Sequence, residues 1–195
     1  MNRQLLDAYA QVGMGWWSLL EKYIPAMQAS DPDCTFDVKE KYGTLRLQAT
    51  PSDACKDHDA FWRLEEEAEV ESKHTCEYCG KPGRLRAKKR SWYLTLCDEC
   101  DELDKEAEYD LRLYERVLLG KKYEEAIGPE RTKALREQWY ALPVKNTLRS
   151  EEFKTWYNHL THDEQGAALG WNAEWEAYIR DESPLGCSFH DSGNM

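Results

Sequence analysis

The chain is short of the strings that announce catalysis, secretion or membrane residence. Its 195 residues hold no apolar run long enough to span a bilayer. They hold no Gly-rich phosphate loop, no His-Glu-x-x-His and no Gly-x-Ser-x-Gly. There is no internal repeat and no low-complexity linker. The start, MNRQLLDAYAQVGMGWW, lacks the basic end, apolar core and small-residue cleavage site of a secretory signal, so a cytoplasmic protein is expected. His58 stands between Asp57 and Asp59, and His162 beside Asp163, but sequence neighbours on a helix point apart and make no dyad. These absences argue against an enzyme. Positive charge is also scarce: 26 basic side chains face 37 acidic ones, for a net charge of −11. That balance disfavours non-specific adhesion to nucleic acid or an anionic membrane.

What the chain does have is cysteine in a pattern. Cys76/Cys79 and Cys97/Cys100 form two Cys-x-x-Cys pairs with 17 residues between them, and Cys34, Cys55 and Cys187 stand apart. Two disulfides would need an oxidising compartment. A redox Cys-x-x-Cys belongs beside a βαβ pattern that is missing. Iron or an iron–sulfur cluster could also take four thiolates. The spacing favours one structural Zn²⁺, held tetrahedrally by Cys76, Cys79, Cys97 and Cys100. A site filled by four protein ligands has no open position and does not catalyse. His74 is not needed beside four thiols, and Cys187/His190 has no second pair nearby. The three remaining cysteines are read as free thiols.

The residues between the pairs suit a zinc ribbon, two metal-bearing turns joined by a β-hairpin. Gly80 lets the chain turn back, Pro82-Gly83 marks a turn, and Arg84 to Arg86 reads as a short strand. Trp92, Leu94 and Leu96 alternate with Tyr93 and Thr95, the period of a strand with one buried face. Lys81, Arg84, Arg86, Lys88, Lys89 and Arg90 put six cations into ten residues without an acid. Beside Trp92 they offer charge for phosphates and a ring for stacking, which is the nucleic-acid alternative. The competing readings are a solvated loop tip and an internal match with acidic helices on either side.

Elsewhere the pattern is mostly helical. Leu5, Tyr9, Val12, Trp16, Leu19, Tyr23 and Met27 share a helical face, broken at Gly13 and Gly15, with Pro25 kinking or ending the second piece. Cys34 to Thr50 reads as two strands around Tyr42-Gly43. An acidic helix spans Asp57 to about Lys73. A long helix is expected directly after Cys100, with Asp101, Glu102 and Asp104 in its first turn, a stripe at Leu103, Ala107, Leu111, Tyr114 and Leu118, and its end at Gly120. Further helices start at Pro129, stopped by Pro143, at Ser150 as cap, and near Asp163. The eight Trp and eleven Tyr are unusual, since aromatic rings carry much of the available apolar area, and Trp16, Trp17, Trp139, Trp156, Trp171 and Trp175 are read as core or interface anchors.

The order GWWSLL, KEKYGTLR (Lys39–Arg46), CEYCGKPGRLR (Cys76–Arg86) and TLCDEC (Thr95–Cys100) resembles a group of small uncharacterised proteins of bacteriophages and bacterial mobile elements. In that group a KEKFGxLR-like hairpin precedes a Cys-x-x-Cys-Gly ribbon and a TLCDxC-like string. The resemblance covers about residues 14–102 and implies a shared fold, a zinc site and a phage-like origin, with no activity attached. The expectation is therefore an α+β zinc-ribbon domain over 1–118, a helical extension over 119–182 that packs back on it, and a loose tail over 183–195. The function expected is non-catalytic contact with a protein partner, as for an antagonist of a host machine. A nucleic acid is the alternative partner, no membrane is involved, and the aromatic helices leave room for a homodimer.

Overall fold

Residues 3–55, 57–88, 92–142 and 150–182 are described by the computed structural model, and the chain divides between Asp104 and Lys105 into two units. In the first unit, α1 (Arg3–Tyr9) leads through a single 3₁₀ turn (Met14–Trp16) into α2 (Trp17–Ser30). Of the apolar face expected here, Tyr9, Val12, Trp16, Leu19, Tyr23 and Met27 are buried, whereas Leu5 is only half-buried and Leu6, Leu20 and Ile24 complete the core instead. Pro25 does not end α2, which runs on to Ser30. Ile24 and Met27 are buried on either side of it, so burial carries the helix past a residue that lacks one N–H.

Two antiparallel hairpins follow. β1 (Thr35–Lys41) pairs with β2 (Thr44–Thr50), Val38 opposite Leu47. The turn residues Tyr42 and Gly43 take φ of 56° and 72°, the left-handed pair that a two-residue hairpin needs. The acidic helix α3 (His58–Ser72) packs on β2 and α2. Its cap is Asp57, whose side chain accepts the Ala60 N–H at 3.0 Å. Phe61, Ala68 and Ser72 face inward, and Ser72 Oγ accepts the Leu45 N–H at 3.0 Å. The second hairpin pairs β3 (Arg84–Lys88) with β4 (Trp92–Leu96), Leu85 opposite Thr95. α4 (Asp98–Asp101) is a single turn, after which the chain breaks before α5 (Lys105–Ile127). The long helix expected directly after Cys100 is thus interrupted. The break aims Leu103 at the cysteine cluster, where it packs.

The second unit is helical: α5, α6 (Pro129–Ala141), α7 (Glu151–Tyr157) and α8 (His162–Glu182). Pro129 opens α6 after Gly128 at φ 86°, and Ser150 caps α7 by accepting the Phe153 N–H. Gly120 does not end α5 but lies inside it, where a Cβ would come within 2.4 Å of Gly170 Cα in α8. It is a contact glycine that lets two backbones cross closely, so the division of the chain falls before α5 instead of near 118. For the same reason the expected stripe from Leu103 to Leu118 is only half-buried, while Asp110, Leu113, Gly120 and Tyr123 are fully enclosed. Trp139, Trp171 and Phe153 fill this unit. The stop at Pro143 and the tail over 183–195 lie outside the described residues. No described helix is long and apolar enough to cross a membrane.

Candidate metal centre

The first cysteine turn is built by backbone bonds. Gly80 N–H donates to Cys76 O at 2.9 Å, with Gly80 at φ 75°, and Cys76 N–H donates to Lys81 O at 2.8 Å. Glu77 N–H donates to Thr95 O at 2.9 Å, which anchors the turn on β4. The second turn leaves β4 at Cys97 and enters α4, where Cys97 Sγ accepts the Cys100 N–H at 3.4 Å. Gly83 lets the turns close: a Cβ there would meet Cys76 N at 2.9 Å.

These turns bring the Sγ atoms of Cys76, Cys79, Cys97 and Cys100 within 4.8 Å of one another, with Cys79 and Cys97 at 3.7 Å. A tetrahedron around an ion with bonds of about 2.3 Å has edges of about 3.8 Å, so this group could hold a metal ion. All four thiols are free of disulfides, and three of them are buried while Cys79 is exposed. Leu96 is buried among them, with Tyr78, Leu94 and Leu103 packed around. Burial pushes the Cys79 and Cys100 thiols up, away from the charged form. Burial acts on Cys97 in the same direction, but hydrogen bonds from the Cys100 amide and the neighbouring thiols outweigh it and bring that thiol down. Four bare thiolates this close would repel strongly; a divalent cation is what lets all four ionise together. His74 is exposed and is not part of the group.

The N-terminal segment grips the first cysteine turn. Gly15 N–H donates to Glu77 O at 2.9 Å, and Trp16 Nε1 donates to Thr75 O at 2.8 Å. A Cβ on Gly15 would lie 2.1 Å from Cys76 O, and one on Gly13 would lie 2.3 Å from Glu77 O. Sequence reasoning took these glycines as helix breakers. The Gly-Met-Gly string before two tryptophans was the available signal of a close backbone approach.

The three described cations of the basic hairpin are matched from within. Lys81 pairs with Glu99 at 2.5 Å, Arg84 with Asp98 at 3.0 Å, and Arg86 with both Asp98 and Asp101, the last at 3.1 Å. The acids come from the second cysteine turn and α4, not from the long helices. Asp98 is held below the usual carboxylate range by the hydrogen bond from Arg86 and by the charge of Arg84. Lys89 and Arg90, and the side chains of Lys88 and Trp92, lie outside the described residues.

Elsewhere, His162 Nδ1 stands 3.5 Å from Asp163 Oδ1, closer than helical neighbours were expected to lie, but the imidazole is exposed and the contact is long. In the second unit Arg136 bridges Glu124 at 3.1 Å and Glu174 at 2.6 Å and lies over the Trp171 ring. Burial pushes the Glu174 carboxyl up and Arg136 pulls it back; the cluster is a matched packing network. Cys34 is buried and Cys55 half-buried, both free, and Cys187 lies outside the described residues. Comparison of the chain with protein-family models, curated proteins and solved structures returns no match.

Proposed function

We propose that the four thiolates hold one structural Zn²⁺ and that the chain is a non-catalytic binding protein whose metal-stapled hairpin supports a protein-contact surface. The observation that carries the reading is the convergence of four free Sγ atoms, from two turns on separate stretches of chain, to within 4.8 Å. Four protein donors leave an ion no open position for water or substrate, so the metal would fasten structure and do no chemistry. Zinc suits the set because all four donors are thiols in Cys-x-x-Cys turns. The ion pairs of Lys81, Arg84 and Arg86 weigh against the nucleic-acid alternative, since three of the six hairpin cations already have acidic partners. The resemblance of residues 14–102 to phage proteins makes a host protein the natural partner, and an antagonist the natural role.

Native mass spectrometry of the purified chain tests the staple, with one zinc per chain expected. A metal-free fold, an iron cluster or two disulfides would refute it. The binding role is tested by affinity capture from the native host, where a stoichiometric complex should survive nuclease and high salt. Salt-dependent binding of DNA or RNA, abolished by neutralising Arg84, Arg86, Lys88, Lys89 and Arg90, would replace the protein partner with a nucleic acid.

A further inference from the structure

Helix α3 has two faces, and only one of them is used by the core. Phe61, Ala68 and Ser72 point inward at helical spacing. Asp59, Trp62, Glu66 and Val70, three, four and four residues apart, share the opposite face. There Trp62 is 66 % exposed and Val70 48 %. The other tryptophans whose side chains are described are buried or half-buried, so Trp62 alone among them is turned to water. A wide indole left outside the core, one turn from a carboxylate, is the kind of group that anchors a contact with another molecule.

The acids of α3 divide in the same way as its faces. Glu65 accepts the Ala49 N–H at 2.6 Å, Glu69 pairs with Lys73 at 2.9 Å and with Arg46, and Glu71 pairs with Lys22 at 2.5 Å. Arg63 leans back on the Asp59 carbonyl at 3.3 Å and on Asp57 at 3.9 Å. The carboxylates of Glu66 and Glu67 are exposed and have no hydrogen-bond or ion-pair partner among the described residues. With Val70, His74 and Tyr23 of α2 they line a groove of about 470 Å³. The cations nearest this groove are thus already committed to other acids, and Glu66 and Glu67 are its unmatched charges.

That imbalance selects what can cover the face. Nucleic acid and an anionic membrane bring phosphates, which two free carboxylates repel. A second copy laid face to face would set Glu66 and Glu67 against themselves. A protein segment bearing Lys or Arg is complementary, and its cation can also settle over the Trp62 ring. Helical rise puts Trp62 and Val70 about 12 Å apart, with Glu66 midway. A helix with apolar residues about seven or eight positions apart and a cation between them repeats that spacing.

We propose that the outer face of α3, built by Trp62, Glu66, Glu67 and Val70, docks a basic amphipathic helix of a partner protein. The proposal rests on the reading of the chain as a protein-binding module and names the chemistry of the partner. The second hairpin supports the face from one end, because Gly83 N–H donates to His74 O at 2.8 Å where α3 gives way to the first cysteine turn.

The test uses the zinc-loaded full chain and a synthetic helical peptide with Leu along one face and Lys beside it, with a Glu-for-Lys version as control. Amide shifts on titration are expected within Asp59–His74, with no response to the Glu version. Trp62→Ala, and Glu66→Gln with Glu67→Gln, change exposed side chains, so both variants should melt as the parent does yet bind the peptide about tenfold more weakly. Glu125→Gln with Glu130→Gln makes the same charge change on exposed acids of the second unit and should bind as the parent does. Absence of peptide binding, shifts outside α3 and its groove, indifference to Trp62→Ala, an equal loss in the Glu125 and Glu130 variant, or displacement of the peptide by duplex DNA at the same amides would each overturn the proposal. Capture of a host protein undiminished by Trp62→Ala sinks this face and leaves the binding role standing. Peptide binding at these amides with no protein captured from the host keeps the face and sinks the host partner.

Discussion

At the scale of single residues, the four-cysteine cluster depends on atoms that spacing could identify and on close approaches that it could not. Cys79→Ser removes one of four donors and is expected to weaken zinc binding by more than the roughly 100-fold that loss of an outer-shell partner costs. Competition with a chromophoric zinc chelator measures this. Gly15→Ala tests the grip of the N-terminal segment. Its methyl would lie 2.1 Å from the Cys76 carbonyl, a backbone atom that no rotamer change can move. Overpacking of this kind costs about 1–3 kcal/mol or more, so a lower melting temperature is expected in the zinc-loaded protein. Asp31 provides a pH test. Its carboxylate accepts Ser52 N–H at 2.6 Å, the Ser52 hydroxyl at 2.9 Å and Asp33 N–H at 3.2 Å. Led by the Ser52 amide, these bonds hold it below its usual 3.8. With the folded value depressed, its stabilisation is complete above 3.8 and is lost as pH falls through the folded value. Asp31→Asn should therefore be less stable than the parent at neutral pH, with the gap closing in acid. Denaturant melts of the two proteins at matched pH check this, because thiol protonation is common to both and cancels.

Among the elements, the first hairpin was legible because alternating segments flank the Tyr42-Gly43 turn, and the second because alternating segments lie between the two Cys-x-x-Cys pairs. The KEKYGTLR string now has a physical reading. Glu40 accepts the Gly43 N–H at 2.6 Å, Gly43 carries the contact with Thr95, Leu45 and Leu47 are core, and Arg46 pairs with Glu69 of α3. The helices of the second unit were legible in number and in their caps, but not in how they pack. Gly120 reads as a helix end because glycine commonly ends helices, and only the presence of Gly170 opposite shows that it is a crossing point. Gly120→Ala is expected to lose more by prising α5 from α8 than the about 1 kcal/mol that alanine gains in helix propensity. A melting temperature lower by several degrees in scanning calorimetry is the predicted result, and a rise would show that the helices part easily.

For the whole molecule, two units with separate cores should respond separately to loss of metal. Chelation is expected to collapse the fine structure of residues 3–104, seen as lost near-ultraviolet dichroism and rapid proteolysis there, while α5 to α8 keep their helical signal. Simultaneous loss of both signals would show that the units fold as one. The chain's net charge of −11 masks a local arrangement that composition cannot express: a basic hairpin in which Lys81, Arg84 and Arg86 pair with acids of its own second cysteine turn. By itself, the order of residues determined the four-cysteine group, both hairpins, the acidic helix with its Asp57 cap and the helical second half, because spacing, alternation and capping act within a few residues. Only the tertiary structure decided that three thiols are buried and one exposed, that Gly13 and Gly15 serve the cysteine turn, that Gly120 continues its helix, and that Gly43 is set against Leu85 and Thr95. Each of those depends on an atom brought from far along the chain, and no local pattern encodes how close it will come.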